Sequence, residues 1–309
     1  AATFIKPFVE REVQALKFTE SIMKKLFYLL TCLGLWSGMT FAQGAEVVNL
    51  QDSTGMHGDH FSLAGALQQF KEATSLEDFE QRLNTEANGV NNLDLNQDGE
   101  TDYVRVEDHV EGNSHAIVLQ VPVNETESQD IAVIELEKNG ESSALLQILG
   151  DEEVYGEQVI VEPTGDDVEK SSGRGPAMPE ISYLPAVVVN VWGWPTVRFV
   201  YAPAYRPYVS PWKWRHYPGW YRPWRPAPWR RHYVRCAPFR VHYRPVTTHR
   251  VVVAHGVYRP HRHTSVVVVN RYKPARANYQ KRHVTVVKGP RGGTKAVVVH
   301  KGPRGGRRR

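Results

Sequence analysis

Cysteine is scarce in this chain, and so are the residue patterns of known catalytic sites. Only two of the 309 residues are cysteines, Cys32 and Cys236, which excludes the several disulfides that hold small secreted scaffolds together. The sequence has no glycine-rich phosphate loop after a predicted strand and no set of Ser, His and Asp in a catalytic context. Carboxylates with a spacing that suggests a site occur within one acidic loop. These absences predict that the protein is not an enzyme.

Long apolar runs are also scarce. The longest covers residues 26–42 (LFYLLTCLGLWSGMTFA), after Met23 and two lysines. Its apolar core is shorter than the ~20 residues that a membrane helix needs, and its basic start is typical of an export signal. We therefore predict a signal peptide over residues 23–42, residues 1–22 as a non-native or upstream extension, and a mature protein without a transmembrane span that is periplasmic, on the cell surface or secreted.

Signal cleavage would leave Cys236 as the single cysteine of the mature chain. An internal disulfide is then impossible, and in an oxidising compartment this thiol would either pair with a second copy of the chain or stay free. The surrounding arginines would favour its thiolate.

Charge of one sign is nearly missing from each half of the mature chain. Residues 43–170, the acidic half, hold 29 acidic and 5 basic side chains, whereas residues 171–309, the basic half, hold 1 acidic and 28 basic ones. Such a division bears on partners and solubility more than on fold. Composition predicts an acidic domain at 43–165, a linker rich in Gly, Ser and Pro at 166–182, and a basic low-complexity region at 183–309.

Apolar periodicity predicts that the acidic domain begins with two helices. Residues 61–70 place Leu63, Leu67 and Phe70 on one helical face. A second helix is predicted after Ser75, which is a good N-cap, and it should end at the Asn-Gly pair 88–89.

Beyond the second helix the apolar period changes to two, which predicts strands. The four predicted strands contain residues 104–106, 117–123, 132–136 and 144–148. The stretches EGNS (111–114) and KNGE (138–141) predict hairpin turns. The outward side chains of Arg105, Glu107, Glu135 and Glu137 are expected to stay hydrated. We therefore predict an α+β fold in which two helices pack on a four-stranded antiparallel sheet, followed by a largely extended or disordered basic tail.

The stretch DLNQDGETD, residues 94–102, alternates oxygen-bearing side chains around Gly99. Calcium takes about six to eight oxygen ligands, and a glycine permits the sharp turn between them. Arg105 stands where an EF-hand requires its twelfth-position Glu, so this is no EF-hand. An Asx-rich turn without metal is the alternative, because Asn, Asp and Gly favour turns.

The pattern D-x-N-x-D-G-x-x-D resembles the calcium loops of FG-GAP repeats and, more loosely, those of dockerin and thrombospondin type 3 repeats. The resemblance implies Ca²⁺ as a cofactor. It implies side-chain ligands from Asp94, Asn96, Asp98 and Asp102 and a backbone ligand from Glu100. Two histidine pairs, His57 with His60 and His261 with His263, lack thiolate or carboxylate partners at a defined spacing, so we expect them to be solvated rather than bound to zinc or copper.

The basic half has too much proline for regular helices. A hairpin is predicted from residues 186–191 and 196–201 around WGWP, and extended, polyproline-like chain is predicted after residue 202. Four valine runs, at 251–253, 266–269, 284–287 and 297–299, would form strands either alone or only with a partner.

Arginine alternates with aromatic residues in the basic half, and KGPRGG occurs twice, at 288–293 and 301–306. The repeats resemble the RGG segments of RNA-binding proteins. Arginine pairs with phosphate, while aromatic rings stack on bases or sugars. The residues predicted to bind polyanions are Trp212, Trp214, Arg215, Trp220, Arg222, Trp224, Arg225, Arg230, Arg231, Arg291 and Arg304.

The whole arrangement resembles a group of exported bacterial proteins that join a small acidic domain with a DLNxDGxxDYxRV-like loop to a tail rich in Trp, Arg and Pro, a group without an assigned activity. We predict an exported, non-enzymatic calcium-binding protein of the envelope or matrix. Its partners would be lipopolysaccharide, acidic polysaccharide or extracellular DNA, its own acidic domain, or further copies of itself. A nucleic-acid-binding protein and an enzyme with an unrecognised site in the acidic domain are the alternatives.

Overall fold

A computed structural model describes residues 53–165, 188–288 and 294–298 of the protein. The predicted signal peptide, the linker and the repeat arginines Arg291 and Arg304 lie outside the described residues. All the elements below belong to one compact unit of the chain, which lies within residues 48–309.

The two predicted helices are present. Helix α1 spans Leu63–Glu72 and helix α2 spans Leu76–Leu83. Each begins at a serine N-cap, since the hydroxyl of Ser62 accepts a hydrogen bond from the amide of Gly65 (2.9 Å), and Ser75 accepts one from Asp78 (3.1 Å). Helix α2 ends before the predicted Asn-Gly pair. That pair closes a separate 3₁₀ turn, where Gly89 adopts a left-handed conformation (φ 67°).

The α+β class and the antiparallel sheet are confirmed, but the sheet has six strands in sequential order instead of four. The strands are β1 (Arg105–Glu111), β2 (Ser114–Pro122), β3 (Ser128–Gly140), β4 (Ser143–Gly150), β5 (Val159–Pro163) and β6 (Tyr243–Val246). Periodicity missed β5 and β6, which are the two shortest strands of this sheet. Strand β6 comes from the basic half and pairs antiparallel with β5, so both halves build one sheet.

One of the two predicted hairpin turns lies where it was expected. Glu111 pairs with Ser114, which leaves two residues in the β1–β2 turn. In the β3–β4 hairpin Gly140 pairs with Ser143, so the turn follows the Asn-Gly pair rather than containing it. An irregularity between Lys138 and Gly140 shifts the register by one residue.

The first face of the sheet carries the larger core. Phe70 of α1 and Phe79 of α2 pack edge to face with ring centroids 5.2 Å apart. Helix α4 (Pro195–Val200) also buries Val197 and Val200 in this core. The hairpin predicted around WGWP is therefore wrong. Proline is favourable at the first position of a helix, which explains why Pro195 starts one.

The second face of the sheet is covered as well. Val118 of β2 and Val133 of β3 form a smaller core with Val257 and Tyr258 of helix α6 (Val252–Tyr258). The prediction that Glu135 stays hydrated is wrong, because this helix of the basic half covers it and leaves it fully buried. Of the other three predicted wet side chains, Arg105, Glu107 and Glu137 are all half-buried.

The described part of the basic half contains more regular structure than the predicted extended or disordered tail. Besides α4 and α6 it holds α5 (Trp229–Arg235) and α7 (Val266–His283), and α3 (Glu152–Tyr155) belongs to the acidic half. Residues 202–228 contain only isolated bridges and turns, which is closer to the prediction. No helix within 53–165 or 188–288 is both long and apolar enough to cross a membrane.

The four valine runs divide equally between helix and strand. Residues 252–253 of the first run lie in α6 and the second run lies in α7, so the strands predicted there are wrong. The third run lies in β7 (Val284–Lys288) and residues 297–298 of the fourth lie in β8 (Thr294–Val298), which pairs antiparallel with β7. The first two runs are too short for apolar periodicity to distinguish a helix from a strand. Packing on the sheet decides their conformation instead.

Candidate functional site

The acidic loop folds back on its own backbone. Asp94 accepts hydrogen bonds from the amides of Asp98 (3.1 Å) and Gly99 (3.0 Å) through its two carboxylate oxygens. The side chain of Asn96 accepts from Asp98 (2.8 Å), and Asp98 accepts from the amide of Glu100 (3.0 Å). Gly99 has a φ of 86°, as the turn requires. These are the hydrogen bonds of an Asx-rich turn.

The last residue of the loop, Asp102, differs from the other four predicted calcium ligands in being buried. The pKa of its carboxyl is raised to about 8, chiefly by burial. The hydrogen bond from the amide of Leu95 and the charge of Arg271 lower this pKa, while the charges of Asp94 and Asp98 raise it. Arg271 belongs to α7 and donates to the carbonyl of Leu95 (2.8 Å). The calcium ligands suggested by the resemblance thus lie on one turn, next to a cation of the protein itself.

The aromatic segment of the basic half packs over the exit of this loop. Thr101 donates to the carbonyl of Trp224 from both its amide (2.8 Å) and its hydroxyl (2.9 Å). Tyr221 donates back to the carbonyl of Thr101 (2.6 Å) and packs edge to face on Tyr103. Part of the aromatic content therefore stabilises the fold, whereas Trp220 is 44% exposed.

The predicted polyanion-binding residues fall into two groups. Trp224, Arg225 and Arg231 line one cavity of about 370 Å³, together with Arg235 from α5. We call these four residues and the space between them the arginine cavity. The remaining described residues of the set lie elsewhere on the surface: Trp212, Trp214, Arg215, Trp220, Arg222 and Arg230.

Side chains of the acidic half fix the wall of the arginine cavity. Asn92 accepts from the amide of Ala227 (2.7 Å) and donates to its carbonyl (2.9 Å), which holds the chain just before α5. Arg235 lies against Gly89, where a Cβ atom would approach its Nε to 2.6 Å. Arg235 also donates to the carbonyl of Ala87 (3.3 Å). Glu86 is the acidic residue of the lining.

A second group of candidate site residues lies on the second face of the sheet. Glu135 of β3 faces two histidines of the basic half, with Oε2 at 2.5 Å from Nε2 of His249 and Oε1 at 2.6 Å from Nδ1 of His255. We call these three residues the Glu-His-His cluster. Burial raises the pKa of Glu135 to about 9, helped by the charge of Glu137, and burial lowers the pKa of both histidines.

Sequence reasoning missed the Glu-His-His cluster because it placed Glu135 on a hydrated face. A signal was present, since β2 reads SHAIVLQVP with small or apolar residues pointing to both faces. Such a strand indicates burial on two sides, which would have placed Glu135 in the interior. Nothing in the sequence indicates which histidines reach it, because they come from a segment more than 100 residues away.

The expectation of solvated histidines is wrong for the first pair. His57 and His60 are half-buried, and the His57 ring lies 3.6 Å from the ring of Tyr272, centroid to centroid. His232 and Cys236 are buried beside them, with Sγ 3.6 Å from Nε2.

Burial also changes the expectation for Cys236. It raises the pKa of the thiol, despite the neighbouring arginines. A buried thiol does not favour a disulfide with a second copy. His261 and His263 are exposed, and His261 stacks on His109 at 4.0 Å between ring centroids.

No family model, curated protein or solved structure matches the chain. The resemblances drawn from the acidic loop and from the two-part arrangement therefore receive no support from these comparisons.

Proposed function

We propose that the protein binds acidic polymers through the arginine cavity. The observation that carries the proposal is that Arg225, Arg231 and Arg235 meet at one concavity and are all exposed. No carboxylate within the described ranges forms an ion pair with any of them, although Glu86 lies in the lining. Guanidinium groups in this state are available to phosphate, sulfate or carboxylate groups.

The form of the site suits a polymer better than a small anion. The cavity lies between α5 and the extended chain at 222–228, and further exposed arginines, Arg222 and Arg230, lie close to it in sequence. Trp224 supplies an aromatic face at the same place, which is able to stack on a sugar or base ring. A chain with repeated negative charges would displace counterions at several points, so binding should weaken as salt rises.

The test is binding of fluorescent heparin, a sulfated polysaccharide, to the full chain at increasing salt. Replacing the three arginines together (Arg225→Gln, Arg231→Gln, Arg235→Gln) should reduce the slope of log Kd against log salt by about 2 to 3, as expected for the loss of about three ionic contacts. The matched control removes three exposed arginines elsewhere (Arg198→Gln, Arg206→Gln, Arg259→Gln). Equal effects of the two triple variants would contradict a defined site and leave only general charge attraction.

The same assay distinguishes the classes of polymer. The affinity of the chain is measured at one salt concentration for three polymers. These are lipopolysaccharide, an acidic polysaccharide with the charge density of lipopolysaccharide, and single-stranded DNA. If DNA is the ligand, Trp224→Ala should cost about 1 to 3 kcal/mol of binding, because a stacked base would be lost. Binding that resists salt and depends on tryptophan would instead indicate a neutral glycan and would contradict the polyanion proposal.

We also propose that residues 94–102 bind calcium. The supporting observation is the crowding of Asp94 and Asp98 near buried Asp102, because a divalent cation would relieve their repulsion. Asp94, Asn96, Asp98 and Asp102 would supply side-chain oxygens, and Glu100 a backbone oxygen. The opposing feature is Arg271, which already supplies positive charge there. Export, the absence of enzymatic activity and self-association remain predictions from the sequence.

A further inference from the structure

The Glu-His-His cluster joins three potential metal ligands from three separate elements. Glu135 lies on β3, His249 in the segment after β6, and His255 in α6. One ligand atom from each residue lies within 4.8 Å of the other two, and the part of the chain that the structure describes contains no other such group of His, Cys, Asp or Glu. Among the described residues, this cluster is thus the place where three potential metal ligands lie close enough together to share one ion.

The two imidazoles approach the carboxylate from different directions. Their rings are nearly perpendicular, at 87°, with centroids 4.9 Å apart. Each faces a different oxygen of Glu135, at 2.5 and 2.6 Å. Zinc bound tetrahedrally at its usual ligand distances needs donor atoms about 3.3 Å apart. The two oxygen–nitrogen contacts would each lengthen by less than an ångström to admit the ion, and the three ligand atoms already lie within 4.8 Å of one another.

The backbone on both sides of His249 is held by one side chain. Gln147 of β4 donates from Nε2 to the carbonyl of Thr248 (2.9 Å) and accepts at Oε1 from the amide of Arg250 (2.7 Å). Gln147 is buried. This clamp orients His249 toward Glu135 without using the imidazole itself, which is the role of a supporting residue around a metal ligand.

The helix that carries His255 is anchored by a second carboxylate. Glu137 accepts at Oε1 from the amides of Val253 (2.7 Å) and Ala254 (3.0 Å) at the start of α6. Its charge is satisfied by those amides and by the helix N-terminus. Glu137 thereby fixes the helix and leaves Glu135 to face the histidines.

One side of the cluster is open. His255 lines a cavity of about 460 Å³ together with Tyr258, Arg259 and Arg262. The side chains of His249 and His255 are 22% and 25% exposed, whereas that of Glu135 is not exposed at all. An ion therefore has a route from solvent and room for a water or an external ligand in a fourth position.

We propose that Glu135, His249 and His255 form a binding site for one divalent transition-metal ion of the zinc class. Two imidazoles and one carboxylate suit zinc, copper and nickel, whereas calcium and magnesium prefer oxygen ligands alone. Because two ligands come from the basic half and one from the acidic half, the ion would join the two halves on the second face of the sheet. This site is separate from both the arginine cavity and the acidic loop.

The test is calorimetric titration of the full chain, stripped with a chelator, with zinc chloride. The expected result is one zinc ion per chain bound at this site. Replacing a ligand in His249→Ala or His255→Ala should weaken that binding by about tenfold or more, since even removal of a supporting residue has an effect of about 10- to 100-fold. The matched control, His242→Ala, removes an exposed histidine outside the cluster and should leave the affinity unchanged.

Two further measurements keep the result interpretable if a variant is unstable. Cobalt(II) replaces zinc in the unaltered protein, and a tetrahedral site with imidazole ligands gives visible absorption that Cys236→Ser should leave in place. That variant excludes zinc held by Cys236 and His232. The proposal is overturned if the unaltered chain binds no zinc, or if folded His249→Ala and His255→Ala proteins bind zinc as tightly as the His242→Ala control.

Discussion

Two segments of the basic half are both rich in arginine but differ in what their arginines contact. In residues 243–283, Arg244 and Arg250 pair with Glu162, Arg262 pairs with Asp151, and Arg276 pairs with Glu153. In residues 212–235, no arginine forms an ion pair with a carboxylate of the described ranges. Arginine content alone does not indicate which segment pairs with carboxylates, so the different roles of these arginines follow from where the chain places them.

Strand β6 explains the difference. By pairing with β5 it carries the following residues across the second face of the sheet, where the carboxylates of Asp151 and Glu162 lie at the ends of β4 and β5. Arg244, Arg250, Arg262 and Arg276 are neutralised there by carboxylates of the protein itself. Residues 212–235 instead cover the exit of the acidic loop through tyrosine and backbone hydrogen bonds. Their charge remains available to an external polymer, which is why the arginine cavity lies in this segment.

The largest expected difference between the two segments is in stability. Arg262→Ala removes the partner of Asp151, whose side chain is 3% exposed and lies 2.7 Å from the guanidinium. We expect the free energy of unfolding to fall by about 2 kcal/mol, below the range for fully buried pairs because Arg262 is itself partly exposed. Arg231→Ala should change it by less than about 0.5 kcal/mol, as is usual for exposed positions.

Urea unfolding of both variants at pH 8 measures this difference. The effect of Arg262→Ala should shrink at pH 5, because burial raises the pKa of Asp151 to about 6 and the uncompensated carboxylate would then be protonated. Equal destabilisation by the two substitutions would contradict the division into neutralised and available arginines.

An effect of similar size concerns a carboxylate that the basic half contacts without arginine. Glu80 accepts hydrogen bonds from Tyr103 (2.7 Å), Ser210 (2.9 Å) and the amide of Val106 (2.8 Å). Burial raises its pKa to about 7, although these hydrogen bonds lower it. A carboxyl with a raised pKa stabilises the folded state fully below its ordinary value of 4.5, and this stabilisation is lost as the pH rises through 7.

We therefore expect Glu80 to reduce the free energy of unfolding by on the order of 2 kcal/mol between about pH 4.5 and pH 8. Glu80→Gln should remove this part of the pH dependence, while Glu77→Gln, an exposed neighbour on α2, should keep it. Urea unfolding over this pH range is the measurement. A pH profile that is the same in Glu80→Gln as in the unaltered protein would contradict the predicted titration.

How far the fold and sites were predictable depends on the range of the contacts. Ser75 and the apolar stripe of α2 act locally, so the sequence predicts that helix correctly. Glu135 faces histidines 114 and 120 residues further along the chain, and no periodicity predicts such contacts. The same limit applies to Pro195. Proline is common both in turns and at the first position of a helix, and only packing distinguishes the two. Trp224, Arg225 and Arg231 were predicted as binding residues from composition, but their common cavity depends on Asn92.

The smallest expected effect is that of calcium on the acidic loop, which Arg271 of the basic half contacts. At calcium ten times above a dissociation constant of about 1 mM, binding would stabilise the protein by about 1.4 kcal/mol. For a chain of this size that should raise Tm by about 3 to 6 °C.

Asp98→Ala removes a loop carboxylate that is exposed, so it should abolish the increase with little effect on the fold. Arg271→Gln should enlarge the increase, because it removes the cation that competes with calcium near Asp102. Magnesium, which demands a tighter octahedral site, serves as the control ion and should raise Tm less. If the unaltered chain, Asp98→Ala and Arg271→Gln all melt at temperatures that calcium does not change, the loop is an Asx-rich turn whose charge Arg271 already balances.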